Sequence, residues 1–246
     1  MKWILALGIG VATFASFAVP PAKGFNDPDL ARIIFFHLPC AISTPLFLFF
    51  ASYCSVRYLK TREHHWEVRA SSAHAVGYVL ALLTMITGML FSRVQWGAWW
   101  QWDPRQTSFL LVLLLYAAYF ALRAAYSDEQ RRAVNSAAYS AMAAIPAFFL
   151  IFVFPRLPQV FSAHPSNTIV SGGLDRQYST VFYTLFILIL VVCAWIYRLS
   201  VRAGLLEHRV REIYGNLETR SGGAAHSGVV RPIPLSEDSG ASNPVS

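Results

Sequence analysis

Charge is what this chain has least of. Only 13% of its 246 residues are Asp, Glu, Lys or Arg, where a soluble domain would carry roughly a quarter. Against that, 55% are hydrophobic and the mean hydropathy is +0.44. Lipid is therefore the expected main solvent, and the length does not divide into soluble domains. Acidic residues are fewer than basic ones, 13 against 20, for a formal net charge of +7. The cations sit beside apolar runs, as membrane-topology signals do. No RNP, zinc-finger or helix-turn-helix pattern is present, so nucleic acid is not an expected partner. Cysteine is equally scarce. Cys40, Cys54 and Cys193 lie in or near apolar segments with no CxxC pair, which excludes a disulfide framework and leaves buried, inert thiols. No Walker A, GxSxG or HExxH pattern occurs, so the chain has no ATP site of that kind and gives no sign of being an enzyme.

What is there in quantity is long apolar sequence. Six segments, about 3–21, 33–56, 70–92, 106–122, 133–154 and 178–197, are each near the ~20 residues that cross a bilayer as a helix. Backbone satisfaction in lipid selects helix, and the segments lack barrel alternation. One set of connections holds Arg57, Lys60, Arg62, Arg69, Arg123, Arg131, Arg132, Arg198, Arg202, Arg209 and Arg211, with Lys2 on the same side. The other holds only Lys23, Arg32, Arg93, Arg105, Arg156 and Arg176. The positive-inside rule places the richer set in the cytoplasm. The expectation is an all-α integral membrane protein, a bundle of six transmembrane helices with both termini cytoplasmic. The first segment resembles a signal peptide in outline, but it is long for one and prolines follow it, so it reads as an uncleaved anchor. Residues 1–198 form the membrane domain. Residues 199–246 form a basic cytoplasmic extension: Arg198–Arg211 either extends the last helix along the cytoplasmic surface or, as the simpler reading, is a solvated flank, and the tail after about Ile213 is rich in Gly, Ser and Pro and reads as disordered.

The most informative run lies on the expected outer side, in a loop of about 92–107. Trp96, Gly97, Ala98, Trp99, Trp100, Gln101, Trp102 and Asp103 put four tryptophans and a carboxylate into eight residues. Trp96, Trp99 and Trp100 share a face if this loop makes one helical turn, while Pro104 limits continuation. An interfacial aromatic belt is the simplest reading of a lone tryptophan. A belt does not call for Gly97, which permits close approach, or for Asp103 and Arg105 beside it. Such a cluster suits a large, flat, partly polar ligand such as a porphyrin. Arg105 could pair with a propionate or equally with Asp103. His37 and His164 flank this run on the same side, and imidazole is a standard axial ligand for haem iron. Two histidines could cap the iron from both faces while the tryptophans lie along the ring. The absence of CxxCH excludes covalent haem attachment in the usual c-type way. His64 and His65 belong to a basic loop where a solvated role is expected. His74 lies in the third segment near the inner side without a clear same-level partner, and His208 and His226 lie in the tail. No charge falls deep in an expected span.

The tryptophan run resembles the WGxxWxWD signature of the haem-handling proteins of cytochrome c maturation. Six spans, cytoplasmic termini and one histidine in each flanking outer region are similar to its small member family, CcmC. The likeness extends over roughly residues 1–200 in layout and is sharp around 96–107 and at the two histidines. It implies a protein that presents haem b at the outer face of the bacterial inner membrane and promotes its transfer to the chaperone CcmE. It implies partners as well: the ATPase CcmA, the membrane subunit CcmB and a small CcmD-like subunit. By position, His37 and His164 would be axial ligands, and Trp96, Trp99, Trp100, Trp102 and Asp103 the haem platform. The chain departs from the family pattern in two places. Gln106 stands where Leu is common, which reads as minor, and the stretch around His164 lacks the tryptophans and the His-Gln pair of many members. The larger CcsA and CcmF relatives carry more spans than this length allows. Two other classes compete: an electron-carrying membrane cytochrome b built on His74, and a permease subunit without haem.

Overall fold

The computed structural model of the chain describes residues 2–20, 27–163 and 176–226. Among these all regular structure is helical: α1 (Lys2–Ala18), α2 (Ile34–Thr61), α3 (His64–Trp96), α4 (Pro104–Ala125), α5 (Glu129–Phe148) and α6 (Arg176–His226). Five segments are long and apolar enough to cross a membrane, from Ala31–Thr61 to Arg176–Tyr214. The sixth expected span, α1, is apolar but has only 17 residues. The chain divides into two units, Met1–Leu205 and Leu206–Ser246.

The helices outrun the apolar segments at their polar ends. The basic loop expected between α2 and α3 shrinks to Arg62 and Glu63, with Arg62 left-handed (φ 60°) as the cap of α2. His64 and His65 consequently stand in the first turn of α3 rather than in a solvated loop, and both are half-buried. Glu67 is drawn into the helix with them. It is buried, and it meets the Arg123 guanidinium at 2.7 Å, so its charge is compensated at the end of the bundle. α4 starts on an Asp103 cap with Pro104 in its first turn, and α5 starts on Asp128, whose carboxylate accepts from Arg131 N–H at 2.6 Å. Both are standard helix starts. Pro146 removes one amide from the α5 ladder. The chain then widens into a π-helical turn, Phe149–Val153, and tightens into a 3-10 turn, Phe154–Arg156. α6 does not stop near residue 197. It runs on through the basic stretch, and residues 214–226, expected as a tail without structure, are helical. In the second unit, Arg211 pairs with Glu207 and His208 with Glu212 across single turns.

α2 is the centre of the first unit. Its Phe47, Ala51 and Cys40 pack with Ala73, Val76 and Leu80 of α3 and Cys193 of α6. Its Leu48 packs with Val112 and Tyr116 of α4 and Ala147 of α5. Near its start, Phe35 stacks on Tyr178 of α6 at 4.4 Å and joins Ala12 of α1. All three cysteines are buried and free, as the sequence suggests. Leu46, Val79, Ile86, Leu114, Met142, Ile145 and Ile187 remain exposed along the helices, which suits hydrocarbon as the solvent of those faces.

Close helix contact rests on small residues, as in membrane bundles generally. A Cβ added to Gly77 of α3 would stand 2.8 Å from Leu48 Cδ2 and 3.2 Å from Phe47 Cβ. Leu48 is only 1% exposed and has nowhere to move. Gly77→Ala is therefore expected to cost about 1–3 kcal/mol by overpacking. Thermal unfolding in detergent checks this: the variant should melt several degrees lower, and an unchanged melting curve would show that α2 and α3 are not packed this way.

Candidate functional site

The helices alternate in direction, so the start of α2, the end of α3 and the start of α4 share one end of the unit. The turns after α5 join them there. The tryptophan run makes the corner between α3 and α4. It does not form one helical turn. α3 ends at Trp96, and Gly97 adopts a left-handed conformation (φ 84°), its N–H bonding Arg93 O at 3.1 Å. Nothing lies within 4 Å of a Cβ built on Gly97. Its use is the helix stop, then, not the close approach expected from the sequence. Trp96, Trp99 and Trp100 are separated by this break. Trp96 packs edge-on against Phe91 at 5.5 Å, while Trp100 pairs edge-to-face with Trp102 at 5.7 Å. Trp99 and Trp102 are 53% and 76% exposed, so two indoles stand open at the surface. Trp102 has a positive φ of 55°, uncommon and strained for so bulky a residue.

A set of polar clamps holds this corner. Ser92 Oγ donates to Ala98 O at 2.7 Å, the Arg93 guanidinium to Gly97 O, and Gln101 Nε2 to Trp96 O at 3.2 Å. Gln106, buried on the first turn of α4, reaches back to the loop twice. Its Oε1 accepts from Gln101 N–H at 3.0 Å and its Nε2 donates to Trp99 O at 3.1 Å. The departure that reads as minor in the sequence is thus a brace for two loop residues. Asp103 is 6% exposed and organises the rest. Its Oδ1 accepts the Arg105 N–H at 2.9 Å and Ser162 Oγ at 3.0 Å. Its Oδ2 accepts Ser162 Oγ at 2.9 Å and the Ala163 N–H at 2.8 Å. One carboxylate caps α4 and ties the loop to the chain after α5. His164, the next residue in sequence, lies outside the described residues.

Arg105 meets Asp103 through its backbone, not its guanidinium. The guanidinium forms no ion pair with a described residue, and its buried Nε has no hydrogen-bond partner. Of the two options open in the sequence, an Asp103 ion pair is therefore not the one adopted, and the buried donor fits an added carboxylate. His37 is half-buried in the first turn of α2, with its Nδ1 3.0 Å from Thr87 Oγ1 of α3. A Cβ on Gly88 would stand 3.1 Å from His37 Cε1, so that glycine makes the space in which the imidazole lies. Thr87 and Trp96 are nine positions apart on α3, about 13 Å along the helix axis. The His37 ring and the partly exposed aromatic corner therefore lie at different levels along α3. Gln95, one residue before Trp96, pairs through its amide with Asp27 N and O, at 3.2 and 2.9 Å.

His74 has a different setting. It is fully buried, its Nε2 is 2.7 Å from Ser140 Oγ, and its ring lies against Tyr119 and Tyr116 at 4.0 and 5.3 Å. Ser140 Oγ in turn reaches Ser52 Oγ at 3.2 Å. These bonds join α3, α5 and α2 and engage Nε2, while the buried Nδ1 has no hydrogen-bond partner. Among the described residues no cluster of three His, Cys, Asp or Glu side chains is arranged to hold a metal ion. Thr87, Gly88 and Ser162 escaped the sequence reading. A glycine inside an apolar span marks close approach, but it does not say to what.

The architecture is that of a polytopic helical membrane protein with a braced aromatic corner at one end. The family model described as "Heme exporter protein C" matches residues 1–214, and the chain belongs to that family, CcmC. It is 31% identical over 188 residues to Heme exporter protein C of Escherichia coli (strain K12), which is 73% of this chain and 70% of that one. It is 26% identical over 212 residues to the Bradyrhizobium diazoefficiens protein of the same name, covering 85% and 78%. To that of Paracoccus denitrificans it is 37% identical over 126 residues, 50% of this chain and 51% of the relative. Against this last protein the matched stretch spans about half the relative's length.

The brace has a direct test. Gln106→Leu keeps the bulk but leaves the Gln101 N–H and the Trp99 carbonyl without their partner, a loss of about 1–1.5 kcal/mol. Hydrogen exchange at the Gln101 amide should quicken about ten-fold by the same measure. An unchanged rate would mean that the amide of Gln106 does not hold the corner.

Proposed function

We propose that this chain holds haem b non-covalently at the outer face of the bacterial inner membrane and hands it to a CcmE-like chaperone for c-type cytochrome assembly. The observation that carries the reading is the Asp103 carboxylate. It links the tryptophan corner to Ser162 and Ala163 and so to the chain that leads directly into His164. Membership of the family described as Heme exporter protein C supports the ligand class. His37 and His164 serve as the axial ligands. Trp96, Trp99, Trp100 and Trp102 offer apolar faces along the ring, with Gly97 closing the helix beneath them. Asp103 positions the corner, and the Arg105 guanidinium, without an ion pair among described residues, takes a propionate.

Haem supplies an iron centre that accepts imidazole nitrogen. The chain's own part is to orient those nitrogens, to cover the apolar ring surface and to compensate the propionate charge. With six spans, α1 crosses as a short helix, both termini and residues 199–246 lie in the cytoplasm, and the corner faces the periplasm. A CcmA-like ATPase, a CcmB-like membrane subunit and a small CcmD-like subunit complete the assembly. Binding and presentation suffice for this role, and no chemical step is assigned to the chain.

A pyridine haemochrome assay on detergent-purified protein tests it. His37→Ala and His164→Ala should each lower the haem content several-fold, while His74→Ala, removing a buried clasp, should lower stability and leave the haem per folded protein unchanged. Equal haem content in all three variants would remove the ligand assignment. A wild-type protein free of haem from cells producing the partner subunits would leave the tryptophans as an interfacial anchor.

A further inference from the structure

His37 is held by two consecutive residues of α3, and their chemistry is more specific than packing. The Thr87 hydroxyl has a single proton. It lies 2.6 Å from Leu83 O, one turn back, and 3.2 Å from Thr84 O. Bonding back to the preceding turn is the usual use of a threonine hydroxyl inside a helix, and the shorter contact takes the proton. Thr87 Oγ1 then has only lone pairs to offer His37 Nδ1, 3.0 Å away. A contact at that distance requires the proton to be on Nδ1. The ring is further confined by Gly88. Any side chain there would begin 3.1 Å from Cε1 and 3.6 Å from Nδ1.

We propose that Thr87 and Gly88 form a seat that holds the His37 imidazole with Nδ1 protonated, so that Nε2 is the nitrogen offered to the haem iron. Thr87 is a positioning residue that acts through His37, and its role rests on the haem-binding reading of that histidine. The seat does two things. It fixes the tautomer and the ring plane before haem arrives, which lowers the ordering cost of ligation. It also makes the imidazole a stronger donor, because an Nδ1–H bonded to oxygen increases electron density on the ring. A stronger donor favours ferric iron and lowers the reduction potential.

The test compares Thr87→Val, Thr87→Ser and Gly88→Ala with wild type and His37→Ala. Valine keeps the shape of threonine and removes the acceptor. Haem should dissociate from Thr87→Val about 10-fold faster or more, the usual scale for losing such a partner. Its midpoint potential should move to more positive values. Thr87→Ser should restore both, and Gly88→Ala should speed dissociation by displacing the ring. Nitrogen-15 spectra of apo-protein with labelled histidine, with His37 assigned by its loss in His37→Ala, should show a protonated Nδ1 in wild type and a tautomer mixture in Thr87→Val. The proposal is overturned if the wild-type apo-protein carries the proton on Nε2. It is also overturned if Thr87→Val matches wild type in both dissociation and potential while His37→Ala loses haem, an outcome that leaves His37 as a ligand. If His37→Ala itself keeps haem, the ligand reading fails and the metal role of the seat fails with it.

Discussion

The end of the bundle that carries the tryptophan corner depends on one buried carboxylate. Asp103 sits where an apolar bundle meets a polar surface, at 6% exposure, a place where an uncompensated charge would cost several kcal/mol. It is compensated by short N–H and O–H donors from α4 and from the chain after α5, each at 3.0 Å or less. Because it caps α4, it also sets where that helix begins and hence where the tryptophan corner must end. The strained Trp102 just before it is the cost of making that corner in so few residues.

The remainder of the fold delivers elements to that point. α2 lies at the centre and contacts α3, α4, α5 and α6 through Phe47, Leu48 and Ala51. The small residue Gly77 lets α3 approach it closely. This closeness brings Thr87 and Gly88 up to His37, a pairing across 50 residues of sequence. At the other end the same helices are tied by different chemistry. The Glu67–Arg123 pair and the His74–Ser140–Ser52 chain join them. His74 and His37 thus have separate settings: the first lies among serine and tyrosine through its Nε2, and the second lies in a glycine-made space beside Thr87.

Much of this was legible in the residues. Long apolar runs dictate helices in lipid, and five of the expected segments are spans by length and composition. The Asp-Pro start of α4 is a local signal, and the buried thiols follow from their surroundings. Helix ends were not legible, because the ends are polar and are held by partners such as Glu67 with Arg123 that no local pattern reveals. The run of α6 beyond its apolar stretch was one of two readings of Arg198–Arg211, and hydropathy does not select it, because hydropathy ends where lipid would end, not where the backbone ladder does. The spacing of Trp96, Trp99 and Trp100 suggested a shared face and failed at Gly97, whose left-handed turn ends the helix between them. Gln106 and Thr87 were invisible as site residues because their meaning lies in what they touch across the fold, the loop backbone for one and an imidazole for the other.

The central claim is that haem iron is held by His37 beside the corner that Asp103 organises. An electron-microscopy map of the haem-loaded protein in lipid nanodiscs tests it most directly. The account predicts iron bonded to His37 Nε2, with the porphyrin edge reaching the tryptophan corner and a propionate at Arg105. Iron bonded to His74, or haem seated away from α2 and α3, would contradict it.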